Sequence, residues 1–335
     1  MNTPLLVLSA VLLNCVSGGL PRVDAQIVPE VPAGNTNLTP TKFNWDRIKY
    51  VHAFGDSYSF VQGTRGRANY SFIGDALDFA FTPEELLTNE IIPRYTSSDG
   101  SNWLEFLTGC FSGRPARCRR QLWDFAFAGA DIDANLLPLH HDYTVPLVDQ
   151  LKQWSTYAAD SIPHSPGQTL AAWWIGINDT GDAVNNATIV DSNAFWEQEV
   201  ASYFRAVQVA TDRGLHTHLF VNVPPGERAP STVNNSTKAA ILKAHIAQFN
   251  SVLSSHIISF KKSNPRTEVI TFDANTWFNA VLDDPLSYGF TNTTGFCKCA
   301  DPAGFFWYDS GHPTERVHRL LAEAIEAKLH AHKTA

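Results

Sequence analysis

The stretch Tyr50-Val51-His52-Ala53-Phe54-Gly55-Asp56-Ser57-Tyr58-Ser59-Phe60 runs apolar as far as Phe54 and then breaks into Gly55-Asp56-Ser57. A short apolar run ended by glycine reads as a buried strand passing into a tight turn. Its strand portion covers residues 49–54, and four similar β-rich runs follow at 122–128, 169–175, 218–223 and 268–272. Helical patterns at 101–107, 146–159, 192–212 and 236–262 lie between them, the last with Ile241, Leu242, His245, Ile246, Phe249, Val252, Leu253 and Ile257 at helical spacing. This alternation, without repeat or internal linker, predicts an α/β fold: a doubly wound, five-stranded parallel sheet between helical layers. In such sheets ligands collect beyond the carboxyl ends of the strands, which is where Ser57 falls.

The chain has 335 residues, 44% of them hydrophobic, enough for a large core. A formal net charge of −8 with no basic stripe argues against nucleic acid and against an electrostatic hold on anionic membranes. A neutral or solvated small substrate is expected.

Residues 1–25 carry an apolar run from Leu5 to Leu13, then small and polar residues, with Val23-Asp24-Ala25 as a cleavage site. This predicts a secretory signal peptide, followed by one domain over 26–335. The apolar run is well short of the ~20 residues that span a bilayer, so no stable membrane anchor is expected. Loss of the leader removes Cys15 and leaves Cys110, Cys118, Cys297 and Cys299, an even set suited to an oxidising compartment. Pairing of neighbours, Cys110–Cys118 and Cys297–Cys299, is favoured, with crossed pairings open. Acceptor patterns at Asn37, Asn69, Asn186, Asn234, Asn235 and Asn292 point to an extracellular glycoprotein.

Ser57 becomes chemically interesting through the far end of the chain. There Asp309 and His312 are three residues apart, close enough for the carboxylate to accept a hydrogen bond from imidazole Nδ1. Pro313 restricts the backbone of His312 and is expected to open the final helix. A plain Asp/His helix cap is the bland alternative. Gly129 follows the second predicted strand and can present an unobstructed N–H, and Asn178 follows the third and offers an amide donor. With the N–H of Ser57 they would make a three-donor oxyanion hole. Singly, each reads more readily as a turn residue.

Taken together, Gly55-Asp56-Ser57, Gly129, Gly176-Ile177-Asn178-Asp179 and Asp309-x-x-His312-Pro313 resemble, in order, the blocks of the SGNH subgroup of GDSL esterases and lipases. The resemblance implies a flavodoxin-like three-layer α/β/α sandwich. It also implies Ser57 as nucleophile, His312 as general base and Asp309 as its orienting partner, with Ser57, Gly129 and Asn178 as oxyanion donors. Many relatives carry Asp three residues after the serine, where this chain has Phe60. The segments SDGSNWLEFL, NVPPGERAP and DPAGFFWYDSGHPT look most like secreted fungal members, including acetylesterases grouped with the carbohydrate esterases. The implied activity is hydrolysis of short acyl esters, acetyl in particular, on carbohydrate.

No cofactor or metal is expected: His140-His141 and His216-x-His218 lack further ligands at metal spacing. There is no G-x-S-x-G elbow, which disfavours the α/β-hydrolase fold. The segment 62–100, with Phe72, Phe79, Phe81 and Tyr95, is expected to build the substrate wall, and Trp307 is the best aromatic candidate for stacking on a sugar. Asn178-Asp179-Thr180 also matches a glycosylation acceptor but is expected to stay bare. Two alternatives are a lipase or lysophospholipase with the same triad, and a non-catalytic secreted sugar-binding glycoprotein.

Overall fold

Val51, Ala53 and Phe54 have almost no solvent exposure, and the run that contains them forms the strand β1 (Tyr50–Gly55) inside a parallel sheet. The computed structural model describes residues 43–74 and 79–332; the expected leader and Asn37 lie outside the described residues. The strands β2 (Gln121–Asp124), β3 (Thr169–Trp174), β4 (Thr217–Val221) and β5 (Glu268–Phe272) join β1 in the order β2-β1-β3-β4-β5. All neighbours are parallel, with Tyr50 opposite both Gln121 and Thr169 and Gly55 opposite Trp174. This is the flavodoxin-like order, whose switch point lies between the carboxyl ends of β1 and β3. Every residue of β3 is buried, as a central strand covered on both faces requires.

The helices are α1 (Pro83–Thr88), α2 (Trp103–Thr108), α3 (Leu147–Gln153), α4 (Ile177–Ala183), α5 (Ser192–Asp212), α6 (Pro230–Val233), α7 (Ser236–Ser263), α8 (Ala274–Asp283) and α9 (Glu315–Ala331). One group packs α2 on α9, the other α3 on α5 and α5 on α7. A small two-stranded sheet pairs β6 (Asn292–Phe296) with β7 (Phe305–Trp307). All of the described residues fall in one compact unit.

The structure departs from the sequence pattern at several boundaries. The second strand stops at Asp124, whose Oδ1 accepts the N–H of Ala126 at 2.9 Å and turns the chain. The helix expected over 146–159 changes at Trp154 to a wider π turn (Trp154–Ala158), and the Trp154 indole donates to His52 Nδ1 at 3.0 Å. Pro313 does not open the final helix. It forms an isolated bridge to Trp307, and α9 begins at Glu315, where Asp99 Oδ1 accepts the first N–H at 2.6 Å. Cys110 and Cys118 lie at disulfide distance, Cα to Cα 5.5 Å, as do Cys297 and Cys299 at 5.1 Å.

Candidate active site

At the carboxyl end of β1 the chain must turn under tight packing. A Cβ on Gly55 would run into the Trp174 carbonyl, so only glycine fits there. Asp56 shapes the next step: its Oδ1 accepts the Tyr58 N–H at 2.9 Å, and its carbonyl accepts the N–H groups of Ser59 and Phe60, each at 3.0 Å. Complete burial pushes the Asp56 carboxyl up to about 8, against the Tyr58 hydrogen bond. Ser57 is left on the rim of this turn.

The sheet gains a further brace from Gln150 on α3. Its Oε1 accepts the Gly55 N–H at 3.0 Å and its Nε2 donates to the Gly55 carbonyl at 2.8 Å. From the other side Asn102, the N-cap of α2, donates through Nδ2 to the carbonyls of Ser59 (2.8 Å) and Phe60 (3.0 Å). The segment SDGSNWLEFL thus clamps two distant parts of the site: Asn102 holds the Ser57 turn and Asp99 caps α9. Phe60 is 1% exposed and packs with Ala126, Ala128 and Tyr70 in a small cluster of its own.

His312 sits in a closed loop after β7. The Tyr308 N–H donates to the His312 carbonyl at 2.9 Å, and Asp309 Oδ1 accepts the backbone N–H groups of Gly311 (2.9 Å) and His312 (2.8 Å). His312 Nδ1 lies 3.0 and 3.1 Å from the two Asp309 oxygens, and Nε2 lies 2.8 Å from Ser57 Oγ. Burial works to raise the Asp309 pKa, but hydrogen bonding to His312, the charge of that ring and the two backbone donors hold it well below the usual carboxylate range. The three residues expected to act together are therefore in one hydrogen-bonded line, within a loop rather than a helix cap.

Tyr58, unremarked in the sequence, links the two halves. Its hydroxyl donates to the Gly311 carbonyl at 2.5 Å, and its ring lies 5.6 Å from that of His312. Lys298, between the paired cysteines, places Nζ 3.4 Å from Asp309 Oδ2. These contacts join residues remote in sequence, and no local pattern announces them.

Gly129 has φ +83°, a left-handed conformation that favours glycine, and Asn178 lies in the first turn of α4. Asn178 Nδ2 donates one hydrogen to the Ala130 carbonyl at 2.9 Å, tying the two loops together and leaving its second hydrogen available. Neither the Ser57 nor the Gly129 N–H has an acceptor among the described residues. The Thr180 hydroxyl, at the third position of the Asn178-Asp179-Thr180 acceptor motif, is buried and donates to the Gly176 carbonyl at 2.8 Å.

Several expectations change. Trp307 is 1% exposed and its indole donates to the Thr293 carbonyl, so it belongs to the core and cannot stack on a sugar. Phe72 and Phe81 of the 62–100 segment are likewise buried; Tyr95 is exposed. Tyr70, in the same segment, stacks on Phe127 and its carbonyl accepts the Ala128 N–H at 2.9 Å; Tyr143 meets Tyr70 edge-on and is covered by the Arg67 guanidinium, 3.3 Å from the ring centre, and by the stacked His141 ring. His140 is not a lone surface histidine: its Nε2 is 2.6 Å from Asp182 Oδ2 and 3.8 Å from Asp131 Oδ2. A cavity of about 430 Å³ involving Arg94, Asp99, Thr314 and Arg319 is lined by none of Ser57, Asp309 and His312. Asn69 and Asn234 are exposed, Asn235 caps α7 through its Oδ1, and Asn186 and Asn292 accept local backbone N–H groups.

Among the described residues no helix is long and apolar enough to cross a membrane. The pattern of the GDSL-like lipase/acylhydrolase family matches residues 51–325. An acetylesterase of Thermothelomyces thermophilus is 29% identical over 286 residues, 83% of this chain and 87% of that protein. A thermolabile hemolysin of Vibrio parahaemolyticus is 22% identical over 252 residues, covering 68% of this chain and 54% of the hemolysin. Among solved structures, an extracellular lipase from Streptomyces rimosus aligns over 84% of this chain and 99% of its own, with a TM-score of 0.45 and 13% identity. With the family pattern spanning most of the sheet and both ends of the site, this chain belongs to the GDSL-like lipase/acylhydrolase family and is a carboxylic ester hydrolase.

Proposed function

We propose that this protein is a secreted serine esterase that removes short acyl groups, acetyl above all, from carbohydrate. The observation that carries the catalytic part is the line from Ser57 Oγ to His312 Nε2 (2.8 Å) and from His312 Nδ1 to Asp309 (3.0 Å). Ser57 is the nucleophile, and His312 accepts its proton as the alkoxide attacks the ester carbonyl. Asp309 holds the imidazole with its proton on Nδ1 and balances the imidazolium that forms. The backbone N–H groups of Ser57 and Gly129 and the Asn178 amide receive the oxyanion. His312 then returns the proton to the leaving alcohol, and water, activated by the same imidazole, hydrolyses the acyl-enzyme.

Acetyl-carbohydrate specificity draws support from the similar acetylesterase and from the half-buried Tyr70 ring beside Ala128. Secretion draws support from the N-terminal apolar leader and from the paired positions Cys110–Cys118 and Cys297–Cys299, taken here as disulfides. Ser57→Ala is expected to abolish turnover of p-nitrophenyl acetate and labelling by a fluorophosphonate while the protein stays folded. Wild-type protein is expected to prefer acetylated sugars over decanoyl esters. Unchanged turnover in the variant overturns the catalytic assignment; a preference for decanoate overturns the substrate assignment and favours a lipase. A folded wild-type protein that the probe does not label would overturn Ser57 as an activated nucleophile.

A further inference from the structure

We propose that Asp131, His140 and Asp182 bind a divalent transition-metal ion of the Zn²⁺ or Mn²⁺ kind beside the Gly129 loop. The starting point is Asp131. Its side chain is only 1% exposed, and neither carboxylate oxygen has a hydrogen-bond partner. Buried polar groups are almost always paired, so a carboxylate with two orphaned oxygens calls for a ligand.

Asp131 Oδ2 faces His140 Nε2 across 3.8 Å, too far for a hydrogen bond, and the same nitrogen lies 2.6 Å from Asp182 Oδ2. One ligand atom from each residue lies within 4.8 Å of the others. Around an ion with bonds of about 2.0–2.2 Å, ligand atoms are roughly 3 to 4.4 Å apart. The His140–Asp131 spacing already fits that range, and binding requires the His140–Asp182 pair to open by about half an ångström. An imidazole beside two carboxylates suits Zn²⁺ or Mn²⁺ better than Mg²⁺ or Ca²⁺, which prefer oxygen ligands. The side chains of His140 and Asp182 are 30% and 37% exposed, so an ion can enter from solvent and retain water on its open positions. Asp131 is the inner ligand.

The position gives the ion a structural consequence. Asp131 follows Gly129 by two residues, and a Cβ on Gly129 would lie 3.5 Å from His140 Nδ1. Asp182 lies on α4, the helix whose first turn carries Asn178. A bound ion would cross-link the two loops that present Gly129 and Asn178.

The test is titration of the EDTA-treated full chain with ZnCl₂ and with MnCl₂, followed by calorimetry and by Tm. One equivalent is expected to bind with a rise in Tm. His140→Gln and Asp182→Asn, both at the surface, are each expected to weaken Kd at least tenfold while keeping a near-wild-type Tm in EDTA. Ser57→Ala is expected to bind the ion normally, which makes the result independent of the esterase reading. Absence of a 1:1 isotherm, or undiminished affinity in both His140→Gln and Asp182→Asn, overturns the site.

Discussion

Asp309→Asn is an incisive perturbation because the structure dictates which way the new amide must sit. Oδ1 receives three donors: the N–H groups of Gly311 (2.9 Å) and His312 (2.8 Å), and His312 Nδ1 (3.0 Å). The asparagine oxygen must occupy that place. Its NH₂ then falls where Oδ2 was, 3.1 Å from Nδ1 and 3.4 Å from Lys298 Nζ. Both neighbours are donors, and the imidazole relieves the conflict by carrying its proton on Nε2 instead of Nδ1. Nε2 then faces Ser57 Oγ, 2.8 Å away, with a proton already in place, so it cannot accept another. The geometry survives and the base is lost. A wrong tautomer of this kind lowers kcat by about 10⁴, or ~5.5 kcal/mol of barrier at ~1.36 kcal/mol per decade. Steady-state hydrolysis of p-nitrophenyl acetate measures it, with circular dichroism and Tm as controls for folding. A folded variant that loses less than about tenfold in kcat, against that ~10⁴ expectation, refutes the assigned role of Asp309.

Asn178→Ala removes one oxyanion donor and is expected to lower kcat by about 10²–10³ with KM little changed; an unaltered kcat assigns Asn178 to loop packing alone. Tyr58→Phe deletes the hydrogen bond to Gly311, worth about 0.5–1.5 kcal/mol, and is expected to lower kcat roughly three- to tenfold by loosening the His312 loop. An effect on Tm without one on kcat would confine Tyr58 to stability. Glu105 accepts the N–H of Asn102 at 2.8 Å, yet burial pushes its pKa up to about 8, well above its ordinary value. The folded protein then holds a proton that the unfolded chain releases near pH 4.5, so this group's contribution falls as pH rises from there to about 8. The Tm of Glu105→Gln minus that of wild type is expected to increase between pH 5 and pH 8 and then level off; a constant difference contradicts the shift.

Much of the scaffold is readable along the chain because its signals are local. The apolar runs of β1 and β3, the 21-residue helix Ser192–Asp212 and the glycine at the end of β1 follow from burial, periodicity and a turn too tight for a side chain. The block order also pointed to Ser57, Asp309 and His312 as one set, and the fold brings them within hydrogen-bond distance. Where the reading failed, the deciding interaction was long-range. Trp307 looked like a surface aromatic, but pairing of β7 with β6 turns it into the core. Pro313 looked like a helix start, but Asp99, more than two hundred residues earlier, supplies the cap that sets the start of α9 at Glu315.

By itself the amino-acid sequence determined the α/β class, the succession of strands and helices, and which serine, histidine and aspartate to consider. Tertiary structure alone decided how those residues are held: Gln150 and Asn102 bracing the Ser57 turn, and Tyr58 reaching Gly311. It alone also brought Asp131 and Asp182 to His140. The physical reason is that strand and helix periodicity arise from neighbours a few residues apart, whereas a polar side chain's partner is set by which loops the parallel crossovers deliver to the same sheet edge.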